Sequence, residues 1–328
     1  MKAAWYDRQG PARDVLVVGN LPNPVPGEGD VRIRIAASGI NPGDVKKRQD
    51  AFGYGMPFPR IIPHSDGAGV IDMAGTGVPI ERLGERVWCH GAQSYRAFGT
   101  AAEYVVVPSH LAIPLPDDVS FVQGACLGIP GITAHRAVHI AGPVEAKTLL
   151  VQGGGGAVSD CAIALARSAG ARVVATARSE AGALSALRAG AHRVVRTDED
   201  SSTEVAEQLR NEQAQHIVEV DLAGNIALDE QVLQLNGSIA TYASSTPTTS
   251  IPFWLLVFKN ITLHFLGSDD FPGELKAAAA RAINAALAGG WQGFHVAHRL
   301  PLDAIGEAHE LVEHGGLTGR VVIELDQG

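Results

Sequence analysis

Cysteine is scarce: Cys89, Cys126 and Cys161 stand far apart in a chain of 328 residues, with no C-x-x-C pair among them. That excludes a disulfide framework and a thiolate zinc site, and it fits a reducing compartment, the cytoplasm. Positive charge is also short. Lys and Arg number 26 against 35 Asp and Glu, a formal net charge of −9, so no basic surplus exists to neutralise a phosphate backbone or an anionic bilayer. Nucleic acid and membrane surfaces therefore drop out as main partners. Long apolar runs are missing as well. Nothing approaches ~18 uncharged apolar residues, and the opening MKAAWYDRQG has no apolar stretch after Lys2. Neither a membrane span nor a secretory signal is expected, and Met1 is read as the start of the mature chain. No fixed-period repeat or low-complexity tract occurs, which argues against a solenoid.

What the chain does have is apolar material, 46% against 19% charged, enough for full cores; its length suggests about two domains. Two styles of patterning follow one another. From Lys2 to about Gln123 the apolar runs are short and broken by Pro and Gly, such as Val31–Ser38, Gly67–Ala74 and Ala102–Val107, the style of a small twisted β-barrel. From Gly124 to about Leu266, strand-like runs alternate with helix-length segments closed by Gly170 and Gly190. That alternation predicts βαβ units and a parallel sheet. A helix near Glu274–Leu287, strands near Phe294–Arg299 and Arg320–Leu325, and a helix opened by Pro301 follow; by pattern alone they fit either domain.

The most informative stretch is LLVQGGGGAVSDCAIALARSAGARVVATARS, residues 149–179. A glycine turn between a buried strand and a helix lets backbone N–H groups approach a pyrophosphate, with the positive end of the helix dipole behind them. Gly153 and Gly156 are the key glycines in the G-x-x-G frame, Ser159 takes the third glycine's place, and Ala157 and Val158 open the helix. The next strand ends in Ala177-Arg178-Ser179 with no acid before Glu180. A cation and a hydroxyl there suit a ribose 2′-phosphate, with Arg196 as a second cation, so NADPH is expected rather than NADH. Ser244, just past a later strand, is a further candidate cofactor contact at the carboxyl edge of the sheet.

The segments SGINPGDVKKR (38–48), IIPHSDGAGVI (61–71), TAAEYVVVP (100–108), ACLGIPGITAHRAV (125–138), the glycine turn and TGRVVIEL (318–325) together resemble the zeta-crystallin-like quinone oxidoreductases, a zinc-free branch of the medium-chain dehydrogenase/reductase superfamily. The resemblance implies a GroES-like β-barrel catalytic domain, 1–123 completed by 268–328, and a doubly wound Rossmann domain, 124–267, for NADPH. It implies that Asn41 stands where zinc relatives carry a cysteine ligand and that His64-Ser65-Asp66 covers their Gly-His-Glu segment, so no metal is expected. It places Asn41, in an N-x-x-D-x-x-x-R pattern with Asp44 and Arg48, near the nicotinamide ribose and the acceptor, and Thr133 facing the nicotinamide.

Without a Lewis acid, the acceptor must spread charge itself, which favours quinones and α,β-unsaturated carbonyls. Asn41 also suits a helix cap before Pro42, Asp44 and Arg48 suit an i,i+4 pair, and Glu103 is read as structural. Lys46 stands where many relatives have a tyrosine and is a candidate donor. Tyr54, in the aromatic loop 51–58, is a second. The strand expected over 260–267 would leave a long unpaired edge, and a homodimer pairing it across a two-fold axis would satisfy it. An enoyl or alkenal reductase of the same fold, or a non-catalytic crystallin-like NADPH-binding protein, remain alternative readings.

Overall fold

The computed structural model describes residues 1–200 and 202–326. The two styles of patterning become two compact units, Met1–Pro130 with the segment from Phe294 onward, and Gly131–Gly293. These boundaries differ from those read off the sequence. Residues 268–293 stay with the second unit because the helix Gly273–Ala288 buries Ala279, Ala280, Ile283 and Ala286 there, and Ile283 lies against Gly131. The elements from Val296 onward, Val296–Pro301, Leu302–Ala304, Ile305–His314 and Arg320–Glu324, belong to the first unit.

The first unit is built around the strand Asp30–Gly39, whose alternate residues Val31, Ile33, Ile35 and Ala37 are buried. Along one edge it pairs with Asp66–Ala74. Along the other, its first half pairs with Tyr104–Pro108 and its last residues with Arg320–Glu324. One strand sharing an edge between two partners is how a sheet curls on itself, and the chain's C-terminal strand completes that curl. Arg86–Cys89 and Ala112–Pro114 extend the sheet beyond Asp66–Ala74, and Val296–Pro301 runs parallel to Arg320–Glu324.

The second unit is a parallel sheet of six strands. In spatial order these are Arg193–Arg196, Arg172–Ala177, Thr148–Val151, Ala214–Glu219, Leu233–Thr241 and Thr262–Phe265. In chain order that is 3-2-1-4-5-6, the doubly wound arrangement, whose ligands bind at the carboxyl ends of the strands where the order reverses. Helices form as the pattern predicts: Ala157–Ser168 and Glu180–Ala189, the second ended by Gly190 in the left-handed region at φ 108°. The last strand is shorter than the expected 260–267. Only Thr262–Phe265 pairs, and one edge of the sheet ends there. Among the described residues no helix is long and apolar enough to cross a membrane.

Candidate functional site

Two groups of residues, one in each unit, carry the site chemistry. In the second unit the strand Thr148–Val151 enters the glycine turn through Gly153 at φ 67°, a backbone conformation costly for any other residue. Close approach dictates the next two glycines. A Cβ on Gly154 would sit 2.7 Å from the Ala186 Cβ, and one on Gly155 would sit 2.7 Å from the Gly182 Cα in the following helix. Gly156 is less demanding, since its nearest contact would be 3.3 Å. The packing therefore needs Gly154 and Gly155, which the G-x-x-G frame passes over.

The helix Ala157–Ser168 begins at Gly156 without a side-chain cap, so no capping side chain satisfies its first-turn N–H groups, those of Ala157 and Val158 among them. Ser159 is buried and donates to the Gln152 carbonyl at 2.9 Å, so helix and strand pack tightly without the third glycine.

At the end of the next strand Arg178 is exposed; the Asp221 carboxyl near it is held low, against desolvation, by hydrogen bonds from Ser245 and Gly224 N–H and then by the Arg178 charge. Ser179 caps its helix, accepting from Gly182 N–H at 3.1 Å. Arg196 does not join them. Asp198 grips its guanidinium in two hydrogen bonds of 2.8 Å and Glu199 adds a third contact at 3.0 Å, so its charge is paired with local carboxylates. Ser244 lines an open cavity of about 440 Å³ with Leu222, Thr241, Tyr242 and Phe265, at the carboxyl ends of Leu233–Thr241 and Thr262–Phe265. Thr133 is buried in the middle of Gly128–His139.

In the first unit Asn41 caps Pro42–Arg48 in a box with Asp44, whose carboxylate accepts from Asn41 N–H at 2.8 Å. Its side-chain amide is committed elsewhere. Nδ2 donates to Asp66 Oδ2 at 2.7 Å, and Oδ1 accepts from Arg320 Nη2 at 2.9 Å, with all three side chains buried. Asn41 is thus a bridge between a buried acid and a buried base rather than a free donor. Burial raises the Asp66 carboxyl to about 7, against the opposing pull of the Asn41 hydrogen bond, Arg320 and Ile129 N–H.

Arg48 reaches beyond its own helix to Glu313 at 2.7 Å, to the Gly10 carbonyl and to His309 Nδ1 at 3.4 Å. A chain of buried groups runs on from there. His309 Nε2 meets His64 Nε2 at 2.9 Å, His64 Nδ1 meets Ser38 Oγ at 2.8 Å, Ser38 meets Thr100 Oγ1 at 2.7 Å, and Thr100 donates to the Asp66 carbonyl at 2.6 Å. Arginine only donates and a carbonyl only accepts, so every proton in between is assigned by the network: His309 donates to His64, His64 to Ser38 and Ser38 to Thr100. Burial keeps both imidazoles neutral, pushing His64 down to about 3 and His309 well below the usual range. Both ring nitrogens of His64 are therefore engaged with protein groups, and at φ 74° its backbone holds the ring there under strain.

Tyr54 is 71% exposed and stacked on Phe52, which places its phenol in water rather than in a dry pocket. Lys46 is half-buried on the Pro42–Arg48 helix. Glu103 accepts from the Lys2 N–H at 2.7 Å, a structural contact as its sequence reading expected. Asp66 lies in the quoted segment 61–71 and Arg320 in 318–325, but no local signal gives either of them, or His309, the role seen here, because each acquires it from partners far along the chain.

The alcohol dehydrogenase GroES-like domain family matches residues 27–117 and the zinc-binding dehydrogenase family residues 157–282. The quinone oxidoreductase of Homo sapiens is 30% identical over 305 residues, 92% of this chain and 91% of the relative. Among solved structures, an NAD-dependent alcohol dehydrogenase is similar at a TM-score of 0.86 and 27% identity, covering 99% of this chain and 100% of its own. A mycobacterial structure complexed with NADPH is similar at 0.84 and 25%, also covering 99% and 100%.

Proposed function

Because the chain belongs to the quinone oxidoreductases of the medium-chain dehydrogenase/reductase superfamily, we propose that it reduces quinones or related conjugated carbonyls with NADPH and without a metal. The observation that carries the reading is the glycine turn. Gly154 and Gly155 leave no room for a side chain, the helix behind them has no side-chain cap, and the neighbouring strand ends in an exposed arginine where an NAD enzyme places an acid.

When bound, NADPH supplies a hydride from the nicotinamide. This chain's residues do the rest. The turn's backbone and the N–H groups of Ala157 and Val158 receive the pyrophosphate, Arg178 and Ser179 the 2′-phosphate, and Thr241 and Ser244 line the adjoining cavity. Similar structures carry NAD in one name and NADPH in another, so the Ala177-Arg178-Ser179 turn decides the preference. A quinone or enone disperses the incoming charge over its conjugated system, which removes the need for a Lewis acid. The donor set of the first unit suits that chemistry: Asn41 replaces a thiolate, and His64 has no nitrogen left for a metal. Asn41 acts by holding Asp66 and Arg320 in place. The three cysteines are free and buried, in keeping with a cytoplasmic enzyme.

NADPH oxidation followed at 340 nm with a panel of quinones and enones tests the reading. We expect turnover with conjugated acceptors, about tenfold or greater preference for NADPH over NADH, and loss of that preference in Arg178→Ala. Equal affinities for the two cofactors would remove the 2′-phosphate assignment, and NADPH binding without turnover on any acceptor would leave a binding protein. Turnover confined to enones would identify an enoyl reductase.

A further inference from the structure

Beneath the glycine turn lie two buried carboxyl groups that the proposed reaction does not use. Glu219 ends the strand Ala214–Glu219, and Asp229 lies on the helix Leu222–Val232; both are fully buried. Glu219 Oε1 accepts from Asp221 N–H and from Asn225 Nδ2 at 2.9 Å, and Asp229 Oδ1 accepts from Gln152 Nε2 at 2.8 Å. Glu219 Oε2 and Asp229 Oδ2 are buried without a hydrogen-bond partner, and the two carboxyl groups lie close enough for each to perturb the other. Two acceptor oxygens can face each other in a dry interior only with a proton between them.

The contact leads directly to the turn. Gln152 Oε1 accepts from Thr176 Oγ1 at 2.5 Å, and Thr176 Oγ1 accepts from Gly153 N–H at 3.1 Å. We propose that Asp229 and Glu219 share a single proton, carried on Asp229, and that this proton positions the dinucleotide turn through Gln152 and Thr176. The part concerning the cofactor rests on the reading of that turn as the NADPH site.

Glu219 is the ionised partner, since it already accepts from Asp221 and Asn225. Desolvation, then the Glu219 charge, raises Asp229 well above the usual carboxylate range. The groups facing the pair are Asp221 beyond the strand end, Asn225 on the helix, Gln152 and Thr176 from the neighbouring strands, and Tyr242, whose phenol burial pushes up. Among these named groups no cation stands to replace the proton. When it leaves, two adjacent anions repel, and Asp229 pulls away from Gln152 and the turn.

NADPH titration by fluorescence from pH 7 to 10 tests the proposal. In the parent protein we expect affinity to fall at least about tenfold across that range. Asp229→Asn supplies a fixed N–H to Glu219 and keeps the acceptor for Gln152, while Glu219→Gln supplies a fixed N–H to Asp229; in either variant the change should be under about threefold. Constant parent affinity, or a parallel fall in the variants, overturns the proposal; if one variant does not fold, the other serves. Ligand-free melting gives a second arm. A carboxyl raised in the fold gives stability that is full below its unfolded value and lost as pH rises through its folded value, so the parent should lose at least ~3 °C more than Asp229→Asn between pH 5 and 9. Identical melting profiles overturn the shared proton. If NADPH does not bind the parent at pH 7, the cofactor reading fails and the melting arm alone decides.

Discussion

At the scale of single residues, Asn41 shows how a magnitude separates two roles. Losing a helix cap costs about 1 kcal/mol, whereas stripping a buried acid and a buried guanidinium of their partners costs about 3 kcal/mol or more. In Asn41→Ala the backbone N–H keeps its bond to Asp44, while the side-chain bridge to Asp66 and Arg320 is lost, so urea unfolding of Asn41→Ala should show the larger loss. A loss near 1 kcal/mol would mean that the bridge contributes nothing beyond the cap. The pH dependence carries a sign. Burial raises Asp66 to about 7, so stability is full below the unfolded carboxyl value, near 4, and is lost as pH rises through 7. Removing the Asn41 donor, which pulls Asp66 down, should extend that fall to higher pH. Melting curves between pH 5 and 9 would detect the extension, and unchanged curves would refute it.

At the scale of elements, the glycine turn and its two helices form one packed unit. Gly155 meets the backbone of Gly182, so Gly155→Ala must push a whole helix aside and should cost about 1–3 kcal/mol of stability. Gly156→Ala meets only a 3.3 Å contact in ordinary extended backbone and should cost under ~1 kcal/mol, so any loss of NADPH affinity there reports crowding of the cofactor itself. Equal losses of stability in the two variants, measured by urea unfolding, would contradict this packing. The same elements show what was legible locally. The strand Arg172–Ala177 and the helix Glu180–Ala189 lie where the sequence places them, because apolar period and a helix-ending glycine act over a few residues. The surroundings of Arg196 are less legible: in the strand-end motif its charge looks free, whereas Asp198 and Glu199 two and three residues on fold back to pair with it.

At the scale of the whole molecule, the short edge strand Thr262–Phe265 lies in a unit that also exposes Phe253, Trp254, Phe258 and Phe265 at 56–74%. We propose that a second copy covers them in an isologous contact that pairs the edge strands, so light scattering at micromolar concentration should give a dimer mass and Phe258→Glu should shift it toward monomer. A parent protein monomeric at that concentration would refute the contact. Two-domain organisation, the order of strands and helices after Gly124, and the glycine turn between strand and helix were legible in the sequence, because each follows from hydrophobic period and glycine placement among near neighbours. Which unit received the helix Gly273–Ala288, which oxygen Asn41 holds, and where His309, Arg320, Glu219 and Asp229 find partners were decided only by the tertiary structure. Asn41 and Arg320 lie 279 residues apart and His64 and His309 lie 245 apart. They meet because the sheet closes on its C-terminal strand, and a buried polar group takes whatever partner that closure brings to it, which no local pattern encodes.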